Sequence, residues 1–172
     1  IGIYEVITDS TNKKDEEYFI NTNEEYNYAD NQVTRSWGTA TPKLLEDRNE
    51  VWLQEQIDNG NAPDGTSAGD PQLDSDGNQI VTKGLKSQKK QIIKSQASGL
   101  LSPTDWYVVK ATEVEDYNVP ANITTFRADV RAKSNEMETQ IDACTTVEQL
   151  ETLYTRDENG ERPLAEFPKE VV

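Results

Sequence analysis

The chain has 172 residues, 34% of them apolar, with 32 acidic against 17 basic side chains and a net charge of -15. That length suits one domain, or one domain with a small extension, and so little apolar material gives a thin core that draws order from neighbouring chains. The acidic surface excludes phosphate backbones and anionic membranes as partners, and the lack of histidine removes Ser-His-Asp and Cys-His nucleophiles.

Cys144 is the single cysteine, so no disulfide forms within the chain, and a reducing compartment fits. No stretch is long and apolar enough to cross a bilayer, and Ile1-Gly2-Ile3-Tyr4 lacks the basic-then-apolar layout of a secretory signal.

Residues Ile1 to Ile7 are rich in β-branched side chains and predict a strand. Asp9 to Asp15 reads as a turn, and Glu17 to Ile20 as a second short strand. The Asn- and Glu-rich run Asn21 to Asn31 predicts a loop or irregular extension, and Gln32 to Trp37 another strand. Thr41-Pro42 opens the first predicted helix, over 42–59. Thr41 suits the cap and Pro42 the first helical position, while Leu44, Leu45, Val51 and Trp52 recur on one face. Gly60 closes it in the left-handed conformation.

Asn59 to Gly69 is crowded with Gly, Pro, Asp and Ser and predicts a linker. Asp76-Gly77 between short apolar flanks predicts a hairpin over Gln72 to Val81, and Tyr154 to Leu164 repeats that chemistry around Asn159-Gly160. Lys83 to Ser98 predicts a basic helix with Leu85, Ile92 and Ile93 as its apolar contacts, ended by Gly99. Ser102-Pro103-Thr104-Asp105 is a restart signal, with Ser102 as cap and Asp105 at the positive helix end. Trp106 to Val109 then predicts a single helical turn passing into a strand, with Trp106 a buried anchor.

Pro120 starts the long helix, 120–143. Ile123, Phe126, Val130, Ser134, Met137, Ile141 and Cys144 form a near-heptad stripe along it. The stripe packs on one other helix, either of the same chain or, by self-association, of a second copy. Thr145 or Thr146 caps a short helix over Val147 to Tyr154. The expected class is α+β: short N-terminal β strands and extended loops, then a small helical region with a long amphipathic helix. The division is 1–60, a β-rich docking segment with one helix; 61–82, linker and hairpin; and 83–172, the helical domain.

Signatures of chemistry are few in this chain. There is no Gly-rich phosphate loop or dinucleotide fingerprint, and one cysteine cannot build a zinc site. With Gly77 as the sixth residue of a calcium loop, Asp74 and Asp76 fall correctly, but Gln72 and Lys83 replace both end carboxylates, so a plain hairpin is expected. No carboxylate pair stands out for glycosidase work. Tyr18, Phe19, Tyr26, Tyr28 and Trp37 read as core or interface anchors, with glycan stacking as an alternative. Arg127 and Arg131 lie one helical turn apart; a grip on a partner's carboxylate and plain surface salt bridges both stay open. No catalytic residue, cofactor or metal is expected.

One constellation is more specific. Leu100-Leu101, Thr104-Asp105-Trp106, Phe126-Arg127 and Arg131, followed by Phe167-Pro168, resemble the tail-assembly chaperone and tail-fibre-assembly-like proteins of tailed bacteriophages. The likeness covers roughly residues 70 to 168. The chain departs from it at Val130, where the family has Leu, and at Phe167-Pro168, where it often has Trp-Pro. The resemblance implies a non-enzymatic protein that binds other tail, baseplate or fibre proteins. It places the chain in the virion tail, and in the host cytoplasm during assembly. A transient tail-fibre chaperone and a carbohydrate-binding fibre module are the alternatives. Candidate partner-binding residues are Trp37, Trp52, Asp105, Trp106, Phe126, Arg127, Arg131 and Phe167.

Overall fold

The computed structural model describes residues 4–169; Ile1 to Ile3, which open the first expected strand, and the terminal Glu170 to Val172 lie outside the described residues. In chain order the elements are β1 (Val6–Thr8), β2 (Phe19–Ile20), β3 (Glu25–Ala29), β4 (Gln32–Ser36), β5 (Thr41–Pro42) and β6 (Arg48–Asn49). Then come α1 (Gln54–Asp58), β7 (Val81–Thr82), α2 (Leu85–Leu101), a 3-10 turn (Ser102–Thr104), α3 (Asp105–Glu113), α4 (Ala121–Ala143) and α5 (Val147–Tyr154). The class is α+β: short strands in small sheets, then helices that include the 23-residue α4.

The run Asn21 to Asn31, expected as a loop or irregular extension, is irregular only to Glu24 and then forms β3 and the hairpin turn. β3 pairs antiparallel with β4 from Glu25↔Ser36 to Ala29↔Gln32, and β1 joins β4 in parallel, giving the order β1-β4-β3. The hairpin turns on Asp30 and Asn31, both at positive φ (48° and 62°), as the tight mirror-image turn demands. Asp and Asn reach that region at modest cost, but without glycine the signal is faint in the sequence.

The helix expected over 42–59 does not form. Thr41-Pro42 pairs with β2, Phe19 opposite Pro42. The next carbonyls serve another element: Leu44 accepts from the Leu85 amide at 2.8 Å and Leu45 from the Lys86 amide at 3.1 Å. These bonds satisfy first-turn N–H groups of α2 that have no partner within the helix. The segment therefore acts as a backbone cap, which an extended chain can do and a helix cannot. Only α1 is helical, and Gly60 stands just beyond it at φ 70°. Trp52 and Gly69 then close a stem: the Trp52 amide donates to Asp70 and the Gly69 amide to Trp52, both at 2.9 Å. The two acidic turns are the same unit. Asp74 takes the amides of Asp76 and Asn78 on one carboxylate oxygen, and Asp157 those of Asn159 and Glu161.

The expected stripe on α4 is buried along its whole length, from Ile123 to Cys144. It packs within the chain, against Leu85, Ile93 and Ala97 of α2. Tyr18, Phe19, Val147, Leu150 and Leu164 complete the main core. Ile92, expected inside, is 49% exposed because it sits one residue off the buried α2 face. Thr146 caps α5 by accepting from the Gln149 amide at 3.2 Å, and the Gln149 side chain accepts in return from Thr145.

Gly99 does not end α2. The helix runs two residues further, and no atom outside its own helix lies within 4 Å of where a Gly99 Cβ would stand. Ser102 makes no side-chain cap bond, since the backbone stays right-handed through the 3-10 turn into α3. Gly99→Ala is therefore expected to stabilise the fold by about 0.5–1 kcal/mol. Urea unfolding checks this; a lower midpoint would mean that Gly99 serves something other than helix continuity.

The lysines of α2 tie the chain together. Lys86 pairs with Glu46 at 2.5 Å, Lys90 with Asp142 at 2.7 Å and Lys94 with Glu138 at 3.3 Å. Lys89 is buried, paired with Glu17, and lies between the rings of Tyr18 and Tyr154 at 4.7 and 4.3 Å. Burial raises both tyrosine pKa values, that of Tyr154 to about 12.

Just before α2, Asp47 accepts from Lys83 at 2.7 Å and from the Gly84 amide at 2.9 Å. Lys83, then Ser87 and the Gly84 amide, hold its pKa down at about 2, below the ordinary 3.8. The unfolded chain thus binds this proton more readily. The contribution is complete above about pH 4 and fades as pH falls toward 2. Asp47→Asn is expected to flatten that part of the stability–pH curve. Unfolding midpoints between pH 2 and 6 test it, and an unaltered slope would contradict it.

Candidate protein-interaction site

The Thr104-Asp105-Trp106 triplet divides its side chains between two tasks. Pro103 sits in the 3-10 turn, where its missing N–H costs nothing, and the chain passes directly into α3. Arg127, one residue beyond the buried Phe126, reaches back to this junction. Its Nη1 donates to the Leu101 carbonyl at 3.0 Å and to Thr104 Oγ1 at 2.6 Å, and pairs with Asp105 Oδ1 at 2.8 Å. Thr104 Oγ1 donates in turn to the Leu101 carbonyl at 2.7 Å. The Arg127 side chain is only 11% exposed, so these bonds are worth more than a surface pair. Thr104 and Asp105 thereby fix where α3 leaves the body.

Trp106 faces out. It is 52% exposed, its ring tilted on Tyr107 at 3.8 Å, with Lys110 at 5.8 Å from the indole. The expectation that Trp106 is a buried anchor is thus corrected, and so is the strand expected after it: Tyr107 to Val109 belong to α3. Val108, Val109 and Val114 are exposed as well, and only Tyr107 and Ala111 of α3 are half-buried. A helix this apolar with so little of it covered offers a contact surface.

The other candidates separate. Trp37 is buried, with Arg35 and Lys13 against its ring at 4.8 and 5.1 Å, and Phe126 is buried against Ala97 and Val130. Neither ring is open to solvent. Phe167 is half-buried over Phe126 and its neighbours. Trp52 is half-buried and lines an open cavity of about 380 Å³ with Pro63, Asp64 and Asp70, away from α3. Arg131 donates to the Arg127 carbonyl at 3.2 Å and is exposed, so the two arginines do not form one grip.

A second surface lies in the 1–60 segment expected to dock, on strand β3, where the sequence predicts a loop or irregular extension. Residues that pair across the β1-β4-β3 sheet project to the same side, which sets Val6, Val33 and Tyr28 in one row and Thr8, Arg35 and Tyr26 in the next. Tyr4 packs edge-on against Tyr28 at 5.0 Å. Tyr4, Val6, Tyr26 and Tyr28 are all 44–62% exposed. The alternation Tyr26-Asn27-Tyr28 carried the signal, hidden by its acidic flanks. Comparison of the chain with family models, curated proteins and solved structures finds no match.

Proposed function

We propose that the chain is a non-enzymatic structural component of a tailed-phage virion, sited in the tail, baseplate or tail-fibre attachment, acting through contacts with other proteins of the particle. The observation that carries this reading is the state of the Thr-Asp-Trp segment: two side chains anchor the helix through Arg127, and the third is left outside with three valines. The likeness of this segment to tail-assembly proteins supports the same reading, as does an acidic surface that suits a basic neighbour.

Mass spectrometry of purified particles tests it. Stoichiometric presence supports a resident subunit; presence in the lysate but not in particles assigns the chain to transient chaperoning of fibre assembly. Trp106→Ala is expected to cost about 1 kcal/mol of unfolding free energy, well below the roughly 3–5 kcal/mol of a buried ring, because the indole is half in water, while weakening incorporation or capture. A drop of several kcal/mol, or full incorporation of the variant, would remove α3 as the contact.

A further inference from the structure

We infer that the free edge of β3 is a docking site for an extended segment of a partner protein in which apolar and basic residues alternate. This inference rests on the assembly reading above and deepens it by naming the chemistry of the partner. The backbone sets the edge. The Val33 amide donates to the Glu5 carbonyl and the Asp9 amide to the Arg35 carbonyl, so Val33 and Arg35 turn their main-chain groups toward β1. Gln32, Thr34 and Ser36 therefore bond to Ala29, Asn27 and Glu25, and the main-chain groups of Tyr26 and Tyr28 point away from β4. They have no partner among the described residues.

Natural sheets guard such an edge with charged side chains, proline, a bulge or a covering element. β3 reads Glu25-Tyr26-Asn27-Tyr28-Ala29 and pairs with β4 in unbroken register; it has neither proline nor bulge, and its one charge, Glu25, repels acidic strands and leaves basic ones free to add. The two faces specify the occupant. On one side the added strand would extend the face of Tyr26, Tyr28, Val33 and Val6, where the one cation, Arg35, is already paired with Glu24 at 2.6 Å, which calls for apolar side chains. On the other it would lie beside Glu25, which calls for Lys or Arg. Residues 4–36 carry eight carboxylates against three basic side chains, so the field over the whole edge favours a cationic strand. A second copy fits less well. Paired antiparallel about Asn27, the strand end at Glu24 would approach Asp30 in the copy's turn, and neither copy's β3 offers a cation to Glu25 of the other.

The full chain is titrated with a synthetic peptide of about eight residues alternating valine and lysine, and with its valine–glutamate counterpart. The lysine peptide is expected to bind and to slow hydrogen exchange at the Tyr26 and Tyr28 amides, the glutamate peptide to do neither. Tyr28→Pro removes one outward N–H and no β3–β4 bond. It is expected to bind at least about tenfold more weakly than Tyr28→Ala, the worth of one or two edge hydrogen bonds. Binding without protection of those amides, equal binding of the acidic peptide, or a dimer that Tyr28→Pro dissolves would overturn the inference, the last by giving the edge to a second copy. Should Tyr28→Pro lose the β3–β4 pairing, the exchange measurement on the unaltered chain still decides. Presence in particles is measured separately, so failure here leaves the virion reading standing.

Discussion

Phe126→Ala is expected to destabilise the protein by about 3–5 kcal/mol, the usual cost of deleting a buried aromatic ring. Phe126 is 4% exposed and fills the smaller core cluster with Ala97 and Val130, under Leu100, Leu101 and Phe167. Ala97, Leu100 and Leu101 stand on one helix and Val130 on the other, so helix packing holds most of the lining in place. The effect reaches further than packing. Arg127 follows directly, and its bonds to Leu101, Thr104 and Asp105 hold α3 in place. A melting temperature lower by roughly 6–20 °C is the expected reading, with Phe126→Leu much milder. An unchanged midpoint would mean that the ring is not in the core.

Gly84→Ala should cost about 3 kcal/mol or more, at the upper end of overpacking effects. The reason is space, not backbone angle: Gly84 has an ordinary extended conformation. A Cβ there would stand 2.5 Å from the Leu45 carbonyl oxygen and nearer still to the backbone of Glu46. Those atoms cannot rotate aside. Relief requires the 44–46 segment to part from α2, which breaks the Leu44 and Leu45 caps and draws Asp47 from the Gly84 amide. Set beside Gly99→Ala, one chemical change yields opposite signs on a single helix. Denaturant unfolding of both variants tests the pair, and a Gly84→Ala loss under about 1 kcal/mol would contradict the contact.

The elements legible in the sequence are those whose partners lie within reach of a local pattern. The α4 stripe from Ile123 to Cys144 encodes its burial by spacing alone, and Thr146 with Gln149 encodes its own cap. The acidic turns at Asp74 and Asp157 are likewise local. Failures gather where a distant partner decides. Thr41-Pro42 has good helix-start chemistry, yet Phe19 and the α2 N-terminus claim that stretch as extended chain. β3 has poor strand composition, yet β4 is its neighbour across two residues. At the candidate site, the Thr-Asp-Trp triplet marks where α3 leaves the body, but which of the three turns outward depends on Arg127, more than twenty residues along the chain. Trp37 and Phe126 show the reverse error: aromatic identity does not separate core from surface in a chain this polar.

The stem at Trp52 and Gly69 has a practical consequence. Because the polypeptide departs and comes back at one point, the intervening stretch can be lengthened without moving anything else: doubling such a span adds only about 0.6 kcal/mol of closure entropy. An epitope or fluorophore grafted at the exposed Gly65 would sit on a stretch that belongs to neither α3 nor β3, which makes it a natural handle for following the polypeptide into a particle.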